Sequence, residues 1–178
     1  MSDLWVFGYG SLIWRPGFPY QEAVAARLAG FHRSLCVYSH VHRGTPEQPG
    51  LVFGLDRGGS CRGRAFRVAA ADREATVAYL REREQATSVY REHLAVVRLE
   101  DQTGRRVPAL VFVVDRAHPQ YAGRLDAERQ LELVLQGVGQ SGVNRDYVVS
   151  TVAALGELGI RDVPLVRLAE RLAPDRPG

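Results

Sequence analysis

The residue pattern of this chain changes character once along its length, and that change limits the folds open to it. From Leu4 to Val114 the apolar residues fall mainly into β-rich runs, at 4–7, 31–38, 51–55, 61–68, 94–99 and 107–114. One helical stretch interrupts them. It opens at Asp72, a residue suited to an N-cap, carries Val77 and Leu80 on one face, and ends near Glu84 or Gln85, before the β-branched Thr87 and Val89. After Arg124 the spacing is helical throughout, in segments 124–136, 144–158 and 163–172. Strands grouped first and helices grouped last indicate an α+β fold rather than alternating βαβ units. With 178 residues the chain fits one domain, 1–178, with 174–178 as a frayed tail.

The turns are expected where glycine and proline gather. Gly30 breaks the stretch 23–39, a tight turn at 56–60 joins two strands, and Thr103-Gly104 joins two more. The segment 40–50 reads as a loop, at a length where loops usually have a task. The run 107–114 is apolar enough for both of its faces to be buried.

Composition removes several classes of function. All 23 basic residues are arginine, and the net charge is +3, but the arginines are scattered and interleaved with acids, as in Arg81-Glu82-Arg83-Glu84. That pattern describes a solvated surface rather than a nucleic-acid face, which would gather arginines with exposed aromatics. No apolar run approaches the ~20 residues needed to span a bilayer, and the N-terminus lacks the basic and apolar regions of a signal peptide. The reading is a cytoplasmic protein. The two cysteines, Cys36 and Cys61, sit in apolar or alternating runs as buried, inert thiols, with no metal-ligand spacing around them.

Three groups of residues can carry chemistry. Gly8-Tyr9-Gly10-Ser11-Leu12 follows the first strand. Ile13 stands where a dinucleotide fingerprint needs its third glycine, and Tyr9 and Ile13 stand where a nucleophile elbow needs glycines. What remains is either a plain tight turn or a nest of backbone N–H groups able to hold a carboxylate. At the end of the middle helix stand Glu82 and Glu84. They point to different sides, and Glu84, four residues after Leu80, continues the apolar stripe. Its alternatives are a surface ion pair or a pocket carboxyl. His40 and His42 open the long loop, two residues apart, without an obvious third metal ligand.

Taken in order, Trp5-Val6-Phe7-Gly8-Tyr9-Gly10-Ser11-Leu12-Ile13-Trp14, His42-Arg43-Gly44-Thr45-Pro46, Tyr79-Leu80-Arg81-Glu82-Arg83-Glu84 and Gly139-Gln140-Ser141-Gly142-Val143-Asn144 resemble the ChaC branch of the γ-glutamylcyclotransferases. The resemblance implies a compact mixed β-barrel core with packed helices. It also implies a lyase-type enzyme of glutathione degradation that releases 5-oxoproline and cysteinylglycine. It assigns Glu84 as the catalytic general acid/base and Tyr9, Gly10, Ser11 and Leu12 as the substrate-binding loop, with Ser11 a donor and not a nucleophile. It places Arg43 and, through a looser match, Tyr90 at the substrate. It implies no cofactor, no metal, and a small-molecule partner, glutathione or another γ-glutamyl peptide, rather than nucleic acid or membrane. Two alternatives stay beside it: a cyclotransferase for other γ-glutamyl amines, and a non-catalytic γ-glutamyl-binding protein.

Overall fold

The run that opens the sequence forms strand β1 (Leu4–Gly8), and all five of its residues are buried. The structure, a computed structural model, describes residues 2–85 and 88–173. Thr87, expected to end the middle helix, and the tail 174–178 lie outside the described residues. β1 runs antiparallel to β3 (Gly50–Val68), with Leu4 opposite Val68 and Gly8 opposite Arg64. On its other side it runs parallel to β5 (Arg106–Val114), with Trp5 opposite Ala109. Strands β2 (Glu22–Ser39) and β4 (Tyr90–Leu99) complete a closed barrel in the order β1-β3-β2-β4-β5. Closure removes the exposed edges of an open sheet. The α+β class with a barrel core is thus as expected, and Ala109 to Phe112 are buried in unbroken succession.

Three local expectations need correction. Gly30 does not end a strand: β2 is continuous through it, with Gly30 at φ +88°. The residues 56–60 do not form a tight turn between two strands, because β3 is one strand of 19 residues. Gly58 and Gly59 adopt φ +101° and +68°, a conformation L side chains avoid, so the strand bends there without leaving the sheet. A ring nitrogen of His32 lies 3.0 Å from the Gly58 carbonyl at that bend. Finally, Ser11–Trp14 form a short helix, α1, directly after β1, where no helix was read.

The described residues divide into two compact units. The first comprises residues up to 34 and 53–121. Here helix α2 (Arg73–Glu84) follows a single 3₁₀ turn. Asp72 stands at its N-cap position, but its side chain caps nothing. Asp3 does related work, accepting from the Ala70 N–H at 3.1 Å while also receiving Arg67 at 2.9 Å. α2 packs through Leu80 onto a cluster of Leu4, Val6, Leu12, Phe66 and Phe112.

The second unit comprises residues 35–52 and those from 122 on. Its helices α3 (Ala127–Gln136), α4 (Asn144–Glu157) and α5 (Val163–Leu172) pack together through Leu133, Val148, Leu155, Leu165 and Leu168. Asp126 and Asp162 cap α3 and α5 by accepting from Arg129 N–H and Leu165 N–H. Between α3 and α4 lies a small hairpin, β6 (Val138–Gly139) with β7 (Gly142–Val143), which no sequence period announced. It is tied to the 40–49 loop by Gln140 N–H to Val41 O and Ser141 N–H to His42 O. No helix among the described residues is long and apolar enough to cross a membrane.

Candidate active site

The segment after β1 is fixed by its own backbone first. Gly10 O accepts from Ile13 N–H at 3.0 Å, and Ser11 O from Arg15 N–H at 2.7 Å, which makes the single turn of α1. Leu12 and Ile13 are buried and anchor that turn to the core. The Tyr9 carbonyl accepts from Arg33 Nε at 2.5 Å. Opening N–H groups of a helix have no intrahelical acceptor. Among the described residues none is found for those of Ser11 and Leu12.

Helix α2 brings the carboxyl. Thr76 and Leu80 are buried and Glu84 follows at the same spacing of four, so the stripe that grips the core ends on a carboxylate. The Glu84 side chain is 15% exposed, and its Oε1 lies 3.6 Å from Arg83 Nε. Burial pushes its pKa up from the ordinary carboxylate value, and the Arg83 charge offsets part of that rise. Glu82, two residues earlier, is exposed.

Arg83 is the residue the sequence did not single out. Its Nη1 donates to Arg15 O at 2.6 Å, Pro16 O at 3.1 Å and the Tyr79 hydroxyl at 2.9 Å, and its Nη2 donates to Ser11 Oγ at 2.9 Å. The guanidinium also faces the Tyr79 ring, 6.0 Å from its centroid. One side chain therefore contacts both the loop and Glu84. Ser11, expected as a donor, here accepts; a hydroxyl that accepts can still donate its own proton. Tyr79 reaches this position because Gly17, at φ +76°, has no side chain: a Cβ there would lie 2.1 Å from the tyrosine oxygen. The available signal was the i,i+4 pairing of Tyr79 with Arg83.

The contacts of Arg83 are those of a positioning residue, and they predict a split result. Arg83→Met should lower kcat about tenfold, ~1.4 kcal/mol, on the order of one charge-assisted hydrogen bond. It should also move the acid limb of the pH–rate profile upward, because Glu84 loses the charge that holds its pKa down. A merely structural role would leave that limb in place.

Tyr90, at the start of β4, packs against the same cluster as Leu12 and Leu80, and its hydroxyl donates to Phe53 O at 2.7 Å. Arg43 belongs to the second unit. There it is 8% exposed, its Nη1 donates to Val143 O at 3.0 Å, and its guanidinium faces the Tyr147 ring at 5.4 Å. Its own N–H donates to Ser39 Oγ. In that unit Arg43 fastens the long loop to the β6–β7 hairpin. His42 Nδ1 lies 3.0 Å from Ser141 Oγ. Cys36 and Cys61 are buried thiols.

A family model described as ChaC-like protein matches residues 4–173, and the chain belongs to this family. It is 35% identical to the glutathione-specific γ-glutamylcyclotransferase of Escherichia coli (strain K12), over 90% of this chain and 69% of that protein. It is 32% identical to the glutathione-specific γ-glutamylcyclotransferase of Schizosaccharomyces pombe, over 88% of this chain and 85% of that one. These relatives are enzymes. Among solved structures, a yeast γ-glutamyl cyclotransferase specific to glutathione shares the fold, with a TM-score of 0.87 at 23% identity, covering 97% of this chain and 96% of that one.

Proposed function

We propose that this chain is a cytoplasmic, single-domain enzyme that converts glutathione to 5-oxoproline and cysteinylglycine, with Glu84 as the proton carrier and the 9–12 loop as the substrate cradle. The observation that supports it most is the geometry around Arg83: one guanidinium contacts both Ser11 Oγ and a largely buried Glu84. The names of the relatives supply the substrate class.

The chemistry needs these parts. The α-nitrogen of the γ-glutamyl group attacks its own side-chain amide carbonyl, a C–N bond forms, and the bond to the cysteine nitrogen breaks. The α-ammonium loses two protons on its way to the lactam N–H, and the departing amide nitrogen gains two on its way to an ammonium. The balance is neutral, and one carboxyl that takes and returns a proton serves both sides. Glu84 must be ionised to begin, and its raised pKa makes it a stronger base than an exposed glutamate. Because the attack is already intramolecular, only the orientation share of the ~7–11 kcal/mol that full proximity and alignment can supply remains to be gained. Backbone amides of the 9–12 loop suit the α-carboxylate, and donors nearby suit the developing oxyanion. Arg43 and Tyr90 are kept as substrate-binding residues on the strength of the family resemblance.

This assignment makes two pH dependences run in opposite directions. The folded Glu84 holds its proton to a higher pH than the unfolded one. Between those two pKa values the native state binds more protons, so its contribution to stability falls as pH rises, starting from the ordinary value of 4.5. Activity rises through the same window as the base ionises. Thermal unfolding and initial rates measured across pH 4–8 on wild type and Glu84→Gln should show both slopes in the wild type. The variant should lack the stability slope attributable to this group.

Substrate range is tested with a panel of γ-glutamyl amino acids set against glutathione. Preference for glutathione supports the reading; equal or better turnover of the simpler γ-glutamyl amines contradicts the glutathione-specific part. Tight binding without 5-oxoproline contradicts catalysis.

A further inference from the structure

Three arginines lie along the end of β1 and the 9–12 loop that follows it, and two of them are committed to the loop. Arg33 donates to the Tyr9 carbonyl and to Arg62 O, and Arg83 donates to Ser11 Oγ and the carbonyls beyond it. The third is Arg64. It stands directly opposite Gly8 in the β1–β3 ladder, on the last rung before the loop begins. Its Nε is buried and has no hydrogen-bond partner among the described residues. Its guanidinium is held instead by the face of Phe66, 5.5 Å from the ring centroid.

Register places this arginine near the chemistry. Side chains alternate along a strand, so Arg64 shares the face of Phe66 and Val68, which is the face that carries Leu80 of α2. α2 starts beside Asp3, near the Leu4–Val68 rung, and its last turn reaches the loop that follows Gly8, where Arg83 donates to Ser11 Oγ. From Leu80 to Glu84 is one helical turn, ~5.4–6 Å. From the Val6–Phe66 rung to the Gly8–Arg64 rung is two residues of strand, ~7 Å. Glu84 and Arg64 therefore reach the same end of this face, yet no ion pair joins them among the described residues. A buried guanidinium nitrogen without a partner is costly. Its position on the rung next to the loop proposed to cradle the α-carboxylate gives that cost a use.

We propose that Arg64 grips the α-carboxylate of the γ-glutamyl group, adding a charge-assisted hydrogen bond to the backbone donors of the 9–12 loop. This inference depends on the γ-glutamyl reading of the site and adds to it a residue that fixes the attacking end of the substrate. Arg64 thereby also determines specificity, since it discriminates against γ-glutamyl analogues whose α-carboxylate is amidated.

The test compares wild type, Arg64→Met and Arg64→Lys on glutathione and on glutathione esterified at its glycine carboxyl, with thermal unfolding in parallel. Arg64→Met should lower kcat/KM about tenfold or more on both substrates, chiefly through KM, on the order of one charge-assisted hydrogen bond. Its melting temperature should not fall, because the change removes an unpaired buried donor. Arg64→Lys should recover part of the loss by restoring the charge. Unchanged kcat/KM in Arg64→Met overturns the inference, as does a loss confined to the free acid, which would make the glycine carboxylate the target. A lysine variant no better than methionine also overturns it. If wild type itself releases no 5-oxoproline, the reading of the site fails first; if it does and Arg64→Met matches it, only the assignment of Arg64 fails.

Discussion

Replacing Glu84 with glutamine is expected to lower the rate of 5-oxoproline release from glutathione by at least about a hundredfold, the low end for a removed general base. Glutamine keeps the size of the side chain and the 15% exposure of its site, so the pocket should retain its shape. What it cannot do is accept a proton from the α-ammonium or return one to the leaving nitrogen. KM should change little, because the proposed binding contacts are those of the loop and not of Glu84. The variant should also be more stable than wild type at neutral pH, because burial penalises the ionised form of Glu84 and glutamine carries no charge. Glu82→Gln serves as the matched control: that side chain is exposed, and its replacement should be close to neutral. A Glu84→Gln enzyme of near wild-type rate would remove this residue from the mechanism.

The second large effect is on stability and concerns Asn144. This residue is fully buried at the first position of α4, and its side chain does what a strand neighbour would do for Leu51. Asn144 Oδ1 accepts from Leu51 N–H at 2.8 Å, and Nδ2 donates to Leu51 O at 2.9 Å. Its own N–H donates to Gly137 O, joining the end of α3 to the hairpin that precedes α4. Asn144→Ala leaves a buried N–H and a buried C=O without partners, at about 1–3 kcal/mol each. The melting temperature should fall by about 5–15 °C for a chain of this size. Asn144→Asp keeps the acceptor but sets a buried carboxylate oxygen against Leu51 O, so at neutral pH it is expected to fall at least as far as alanine and to recover at acid pH, where the protonated carboxyl can donate. Equal melting temperatures for wild type and Asn144→Ala, followed by circular dichroism, would contradict the account.

The strands were legible because they carry apolar β-rich runs, and the α+β class followed from their grouping ahead of the helices; their closure into a barrel was implied by the family resemblance alone. What misled the reading was glycine. Gly30 and the Gly58-Gly59 pair looked like strand ends, but a strand in a closed barrel must bend, and glycine at positive φ permits the bend within the strand. The β6–β7 hairpin was invisible because two-residue strands have no period to detect. At the site, Glu84 could be preferred over Glu82 from its spacing to Leu80 alone. Its link to the 9–12 loop could not, since Arg83 and Ser11 are 72 residues apart and meet only in the fold. Arg83 and Arg64 were hidden for a further reason: in a chain whose basic residues are all arginine, composition does not distinguish a working guanidinium from a solvated one.

The central claim is that the γ-glutamyl group leaves by attacking itself, with Glu84 moving the protons. Incubating the protein with glutathione in ¹⁸O-water, and resolving the products by mass spectrometry, tests that directly. The account predicts 5-oxoproline and cysteinylglycine in equal amounts with no ¹⁸O in the 5-oxoproline, because water takes no part in the ring closure. Glutamate carrying ¹⁸O in its side-chain carboxyl would show hydrolysis instead and contradict it.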